Sequence, residues 1–119
     1  MDRLAAAVMD FADLTVFVLK TRPLALDERT LGLLTEETLE RLTRLSEQLK
    51  VQADWDAPAL SAVLRAFAEA EGVGMGKFGP ALRGVLSGGA PAPDLASALA
   101  ALGAFESLGR IDDSLSQLR

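Results

Sequence analysis

The sequence predicts an all-α fold of about six helices. Apolar side chains recur at three- and four-residue steps in most segments, which is the period of an amphipathic helix. Leu and Ala, both strong helix formers, are abundant, and clusters of β-branched residues are scarce. Capping residues precede the apolar stripes, and Gly or Pro follows them. The 119 residues fit one domain, which we divide into two small packed helical subdomains at residues 1–71 and 72–119.

The first predicted helix covers residues 2–20 and ends before the Arg22-Pro23 pair, because proline disfavours helical geometry in the residue that precedes it. Asp10 and Asp13 interrupt its apolar run well short of the ~18 residues that a membrane span needs. We therefore expect a soluble, cytoplasmic protein with no membrane partner.

Capping residues predict the next three helices. Asp27 caps a helical turn that runs through Leu34, and Thr35 opens a helix with acidic residues in its first turn. Asp56 begins a helix over residues 57–71, and Gly72 ends it. The apolar stripes of the two longer helices consist of Leu39, Leu42, Leu45 and Leu49, and of Leu60, Val63, Leu64 and Phe67.

The remaining chain is divided by glycine and proline. The alternating Gly72, Gly74 and Gly76 lack the Gly-Lys-Ser/Thr and the preceding strand of a nucleotide-binding loop, so we interpret them as a connector. Helices are predicted over residues 78–87 and 94–102, separated by a loop with two prolines and two glycines. Gly103 ends the second of these, and a last helix runs from about residue 105 to 118.

Composition excludes most catalysts. The chain has no Cys and no His, so it lacks thiolate chemistry, the commonest acid/base catalyst and the commonest metal ligand. We predict no catalytic residue, no metal site and no cofactor. The formal net charge is −5, which disfavours a nucleic-acid partner at first sight. Residues 1–71 hold 8 Lys/Arg against 13 Asp/Glu, whereas residues 72–119 hold 4 against 4, so the C-terminal half is the better surface for RNA.

The run from Gly76 to Gly88, with Ala92-Pro93-Asp94-Leu95 and Leu99-Ala100-Ala101-Leu102-Gly103 after it, resembles the C-terminal signature of bacterial glutamyl-tRNA synthetases. That family's pattern is Gly-Lys, three residues, Pro-Leu-Arg, two residues, Leu-Thr-Gly, then Ser/Thr-Pro-x-Leu and Leu-Leu-Gly. Upstream segments match in the same order, including Asp54-Trp55 and Leu64-Arg65-Ala66-Phe67. The resemblance covers nearly the whole chain and implies an all-helical anticodon-binding region.

The departures from the family pattern also bear on function. Ser87 stands where the family usually has Thr, Ala92 where a Ser or Thr often precedes the proline, and Ala104 where a charged residue is frequent. The family's ATP-handling motifs, similar to His-Ile-Gly-His and Lys-x-Ser-Lys, are absent. Aminoacylation is therefore not expected from this chain, and the resemblance implies a catalytic domain in cis in the parent protein.

By resemblance, Arg83, Pro93 and Leu95 match family positions that hold the first two anticodon bases of a glutamate-accepting tRNA. Single-stranded RNA loops are recognised by splayed bases that meet flat or apolar side chains, which an Arg, a Pro and a Leu supply. The alternative is that Arg83 is a plain surface residue and Leu95 a core residue. Arg3 is the candidate for reading the third anticodon base, unless that chain end frays.

Four further cations, Lys20, Arg22, Lys77 and Arg110, are candidate phosphate contacts, although isolated basic residues on an acidic protein often serve solubility alone. We interpret Trp55 as a core residue in preference to a base-stacking platform. The alternative function is a stand-alone, monomeric helical module that binds a protein partner through an apolar groove and binds no RNA.

Overall fold

The computed structural model describes residues 11–89 and 92–118, and in this part of the chain the protein consists of six α-helices without a strand. The helices are α1 (Phe11–Leu19), α2 (Glu28–Leu33), α3 (Glu36–Lys50), α4 (Ala57–Glu71), α5 (Gly79–Ser87) and α6 (Leu95–Leu118). A single 3-10 turn, Met75–Lys77, links α4 to α5. The all-α prediction is confirmed, while the predicted start of the first helix and Arg3 lie outside the described residues.

The predicted N-caps are confirmed. The side chains of Asp27, Thr35 and Asp56 accept hydrogen bonds from the backbone N–H three residues further on, at 2.9, 3.3 and 2.9 Å. These bonds satisfy donors that have no partner inside the helix. Gly72 ends α4 in the left-handed conformation, with φ of 72°, where glycine is favoured.

Gly103 breaks α6 in two, as predicted, because its φ of 83° and ψ of 165° are not helical. The break frees the carbonyl oxygen of Leu99 from the regular helical pattern. This oxygen accepts hydrogen bonds from Trp55 Nε1 at 2.7 Å and from Ser107 Oγ at 3.3 Å. Trp55 is half-buried and packs on the core, which confirms the structural interpretation of its ring.

One hydrophobic core joins all of the longer helices. α6 packs against α3, α4 and α5, so the C-terminal helix contacts elements from both predicted subdomains. Phe67 and Phe78 meet edge to face at the centre, with ring centroids 5.3 Å apart. The largest fully buried apolar side chains are Phe17, Phe78, Leu42, Leu45, Leu49, Leu60, Leu64, Leu82, Leu86, Leu99 and Ile111.

The short helix α2 is fixed against α5 by a close approach. Thr30 is buried and occupies the space beside Gly84, where a Cβ would lie 2.6 Å from Thr30 Cγ2. The backbone N–H of Asp27 also donates to the carbonyl oxygen of Gly88 at 3.2 Å. The position of α2 relative to α5 is therefore set by a direct steric fit and a backbone hydrogen bond.

Candidate RNA-binding site

Two surface grooves meet at a ridge formed by Arg29, Pro80 and Arg83, which line both of them. The polar groove, of about 350 Å³, is completed by Asp27, Thr30, Leu33, Gly84, Ser87, Gly89 and Ala92. The apolar groove, of about 540 Å³, is completed by Ser61, Leu64, Met75, Gly76, Gly79, Asp94, Leu95 and Ala96. Both volumes lie in the range of small-molecule sites, so each groove has room for a small ligand group.

Arg83 is exposed, but part of its guanidinium is already used by the protein. Its Nε donates to the carbonyl oxygen of Pro93 at 3.2 Å, and its Nη2 donates to the carbonyl oxygen of Ala92. An Arg side chain carries several further N–H donors, and these have no acceptor within the described residues. Arg83 therefore fixes the loop before α6 and still presents free donors at the ridge.

The turn after α5 is held by a second local network. Ser87 Oγ donates to the carbonyl oxygen of Arg83 at 2.9 Å and accepts from the backbone N–H of Gly89 at 3.1 Å. Gly88 adopts a φ of 73°, and a Cβ there would lie 2.8 Å from the carbonyl oxygen of Ala25. The buried hydroxyl of Ser87 thus stabilises the turn that carries the chain from the ridge into the loop.

Pro93 and Leu95 lie on the same side of the molecule as Arg83. Leu95 is half-buried, lines the apolar groove and packs against the core at Gly79. Pro93 is also half-buried, and its carbonyl oxygen is tied to Arg83. The structure thus brings together the three residues that the sequence predicts to contact anticodon bases, while Arg3 lies outside the described residues.

The described cations fall into two groups. One group forms ion pairs with carboxylates of this chain and comprises Arg22, Arg41, Arg44, Lys50 and Arg110. The other group has no carboxylate partner within residues 11–89 and 92–118 and comprises Lys20, Arg29, Arg65, Lys77 and Arg83. Two members of the second group, Arg29 and Arg83, line both grooves. Lys77 follows the lining residue Gly76 in the sequence, and Arg65 donates to Oγ of the lining residue Ser61 at 3.4 Å. Arg29 and Arg83 at the ridge thus form no ion pair, although Asp27 and Asp94 line the same grooves and the charge of Arg29 contributes to the lowered pKa of Asp27.

Arg110 requires a correction, because the structure gives it a structural role instead of a phosphate contact. Its side chain is fully buried and stacks 5.4 Å from the centroid of Phe17. It donates to Glu106 Oε2 at 2.8 Å and to the carbonyl oxygens of Leu86 and Val18 at 2.7 and 3.1 Å. No part of the guanidinium is open to a ligand.

Arg22 and Lys20 lie away from the grooves. Arg22 pairs with Asp113 at 3.2 Å and lies 5.8 Å from the centroid of the exposed Phe105 ring. Lys20 is half-buried, and its carbonyl oxygen accepts from Arg110 at 3.4 Å. Lys77 is exposed and follows Gly76, a residue that lines the apolar groove, so it is the one of the four predicted phosphate contacts that is adjacent in sequence to a groove residue.

Two carboxylates have lowered pKa values, and only one of them, Asp27, lines a groove. Hydrogen bonding by Thr30 lowers the pKa of Asp27, so the polar groove carries a negative charge at neutral pH. Glu71 is the last residue of α4 and lines neither groove. Hydrogen bonds from Arg44 and then from Arg41 lower its pKa to about 2. Glu71 therefore pairs directly with cations on α3, whereas Arg29 forms no ion pair and interacts with Asp27 only through attraction between their charges.

Arg29 is the residue that sequence reasoning missed. It lies in the first turn of a short helix and follows two acidic residues, so the sequence gives no sign that it forms an ion pair with neither of them. In the structure the carboxylate of Asp27 is used as the cap of α2.

Within residues 11–89 and 92–118, no group of His, Cys, Asp or Glu is arranged to hold a metal ion. In the same range no helix is long and apolar enough to cross a membrane.

A family model described as the anticodon binding domain matches residues 3–115. The chain therefore belongs to the anticodon binding domain family.

The chain is similar to curated glutamate–tRNA ligases. It is 62% identical over 112 residues to the enzyme of Phenylobacterium zucineum, and 58% identical over 112 residues to that of Caulobacter vibrioides. Each match covers 94% of this chain and 24% of the relative, so the chain spans about a quarter of the length of these proteins. The matched quarter is their C-terminal part.

A solved structure supports the same relationship. The crystal structure of a glutamate tRNA ligase from Elizabethkingia meningosepticum, in complex with its amino acid, superposes with a TM-score of 0.79 at 26% identity. The superposition covers 92% of this chain and 21% of that protein. The helical arrangement described above is thus the arrangement found in that ligase.

Proposed function

We propose that this chain is the tRNA-binding region of a glutamate–tRNA ligase and that it binds the anticodon loop of a glutamate-accepting tRNA. The match of residues 3–115 to the anticodon binding domain carries the proposal. The similar proteins are glutamate–tRNA ligases, and their identity to this chain extends over almost all of it. Catalysis belongs to a domain in cis, and a role in charging tRNA places the protein in the cytoplasm.

The apolar groove is the better place for a splayed base. Leu64, Met75 and Leu95 give it apolar walls, and Arg83 at its rim offers a flat guanidinium with free donors. Bases in single-stranded RNA are held by stacking on such surfaces and by hydrogen bonds to their edges. Each groove is lined by one carboxylate, Asp27 in the polar groove and Asp94 in the apolar groove, so the preference rests on the apolar walls and not on charge.

In this proposal Arg83, Pro93 and Leu95 contact the first two anticodon bases, and Arg3 reads the third. The proposed unit that binds is a monomer, with the boundary between its subdomains at residues 71 and 72. Lys77 is retained as a phosphate contact, because it is exposed, follows Gly76 of the apolar groove, and has no carboxylate partner in the part of the chain that the structure describes. Lys20 and Arg22 are phosphate contacts only if RNA reaches beyond the grooves.

Binding of an anticodon stem-loop tests the proposal. The chain is titrated with the stem-loop of a glutamate tRNA and with the same stem-loop carrying a replaced anticodon, each at low and moderate salt. We expect salt-sensitive binding that is tighter for the original anticodon, because phosphate contacts add affinity and base contacts add preference.

Failure to bind either RNA at concentrations on the order of tens of micromolar, where even non-specific binding is commonly measurable, would contradict the proposal. That result would favour the protein-interaction module, for which the apolar groove would receive a helix of a partner protein.

A further inference from the structure

We propose that Arg29 binds a backbone phosphate of the RNA whose bases enter the apolar groove. The proposal rests on the proposed function and adds to it a residue of α2 and a role for that residue. Arg29 is exposed and lines both grooves, as only Pro80 and Arg83 also do among the lining residues described above. It therefore stands beside the guanidinium that we assign to base recognition.

The guanidinium of Arg29 is held by no direct contact, although its charge acts on the nearby Asp27 carboxylate and helps to lower the pKa of that group. It forms no hydrogen bond or ion pair with any residue in the ranges 11–89 and 92–118. Arg44, by contrast, is fixed by two hydrogen bonds to Glu71, at 2.7 and 2.8 Å. A free guanidinium keeps its whole fork of donors available for a bidentate contact with a phosphate.

The backbone next to Arg29 is fixed to α5 by direct contacts, although the Arg29 side chain itself makes none. The neighbouring Thr30 is buried against Gly84, one residue from Arg83. Asp27 caps α2 through the N–H of Thr30 and is joined to the turn after α5 through the carbonyl oxygen of Gly88. These contacts fix the Cα of Arg29 relative to the ridge, so little backbone order has to be created on binding.

A phosphate is the expected partner because nothing orients the guanidinium of Arg29 toward a base edge. Base readout needs a planar side chain held in one plane, and the two loop carbonyls hold Arg83 in that way. A side chain that is free to rotate suits a phosphate, which accepts from many directions and carries no sequence information.

The test compares Arg29→Gln with Lys50→Gln, which changes the formal charge equally at a distant ion pair between α3 and α6. Fluorescence anisotropy with the anticodon stem-loop and its altered version is measured at several salt concentrations. For Arg29→Gln we expect an affinity loss of about fivefold at low salt, equal for both RNAs, and a salt slope that is shallower by about one. Lys50→Gln should bind like the parent chain, and melting curves of both variants should match it.

The possible results separate this proposal from the proposed function. If Arg29→Gln keeps the parent affinity and slope while Arg83→Ala loses binding, the Arg29 proposal fails and the anticodon role stands. Loss of binding to the original anticodon alone would make Arg29 a base reader, and an equal loss in Lys50→Gln would make the effect one of net charge. Either result overturns the phosphate assignment. Absence of RNA binding by the parent chain overturns both proposals.

Discussion

The Nε of Arg83 donates a hydrogen bond to the carbonyl oxygen of Pro93 at 3.2 Å, across ten positions of the chain. The bond ties α5 to the loop that leads into α6, so a residue assigned to the ligand also shapes the wall of its own site. Removing Arg83 therefore has two consequences: it deletes the free donors at the ridge and it releases the loop. Both consequences should lower the affinity for RNA.

The first prediction is that Arg83→Ala lowers affinity for the anticodon stem-loop about tenfold or more. Stacking on a base is worth about 1–3 kcal/mol, and the released loop adds the entropy of ordering Pro93 on binding. Arg83→Lys should recover little of the affinity, because an ammonium keeps the charge but lacks the planar fork that spans two adjacent carbonyls. Calorimetry with the stem-loop measures both variants.

Melting curves are the control for both Arg83 variants. Arg83→Ala loses the hydrogen bonds to the carbonyl oxygens of Pro93 and Ala92, each worth about 0.5–1.5 kcal/mol, so we expect modest destabilisation with the global fold retained. Parent-like binding by Arg83→Ala, or a loss of binding that follows only from unfolding, would remove Arg83 and the base-reading role of the loop from the proposed site.

The second prediction separates Arg110 from the other candidate cations. Arg110→Ala should destabilise the chain by about 3–5 kcal/mol, because Glu106 loses its buried partner and the carbonyl oxygen of Leu86 loses its donor. Lys77→Ala should leave stability within about 0.5 kcal/mol, since Lys77 is exposed without a partner in the described part of the chain. Urea unfolding followed by circular dichroism measures the difference, and equal stability of the two variants would contradict the structural role of Arg110.

The contrast between Asp27 and Arg110 shows what a sequence can predict here. An N-cap is a local event, so the type of Asp27 and its place before a periodic segment were enough to predict its role. The burial of Arg110 depends on carbonyls of α1 and α5 that lie 92 and 24 positions away, and no local pattern encodes that meeting. The prediction of Arg110 as a phosphate contact was wrong for this reason.

The candidate site likewise contains residues that the sequence predicts and one residue that it does not. The motif run predicted Arg83, Pro93 and Leu95 together, and the structure places them on one side of the molecule. Arg29 joins them only through the packing of α2 on α5, which depends on a buried threonine beside a glycine 54 positions later. Whether a cation is free or paired is a property of its three-dimensional neighbours, so the sequence alone did not distinguish Arg29 from the paired Arg44.

The third prediction is that Gly84→Ala destabilises the chain by about 1–3 kcal/mol, the usual cost of overpacking. The new Cβ would lie 2.6 Å from Thr30 Cγ2, so α2 must move away from α5. Because α2 carries Arg29, RNA affinity should fall as well. Thermal unfolding and stem-loop titration measure the two effects.

Gly32→Ala is the matched control. Gly32 lies in α2, the helix that Gly84→Ala should displace, and a Cβ at Gly32 meets nothing within 4 Å. It should be neutral or stabilising by up to about 1 kcal/mol. In the Gly84→Ala background, Thr30→Ala should relieve the clash and restore part of the stability. A Gly84→Ala variant as stable as the parent would show that α2 is not fixed by this contact.

The last prediction concerns Glu71 and the pH dependence of stability. Arg44, with a further contribution from Arg41, lowers the pKa of this carboxyl from 4.5 to about 2 in the folded protein. A group whose pKa is lower in the folded state binds fewer protons there, so stability rises with pH through its titration range. The contribution of Glu71 is therefore fully present above about pH 4.5 and is lost as the pH falls toward 2.

Melting temperatures measured between pH 6 and pH 2 test this sign, with the range chosen to enclose both pKa values. Glu71→Gln should melt below the parent at the upper end of the range, and the gap between the two proteins should narrow between pH 4.5 and 2 as the parent loses the ion pair. Glu47→Gln is the control, because Glu47 is exposed on α3 and forms no ion pair within the described residues. Its melting temperature should follow that of the parent at every pH, and a parallel decline of Glu71→Gln and the parent would show that the contact of Glu71 with Arg41 and Arg44 contributes nothing to stability.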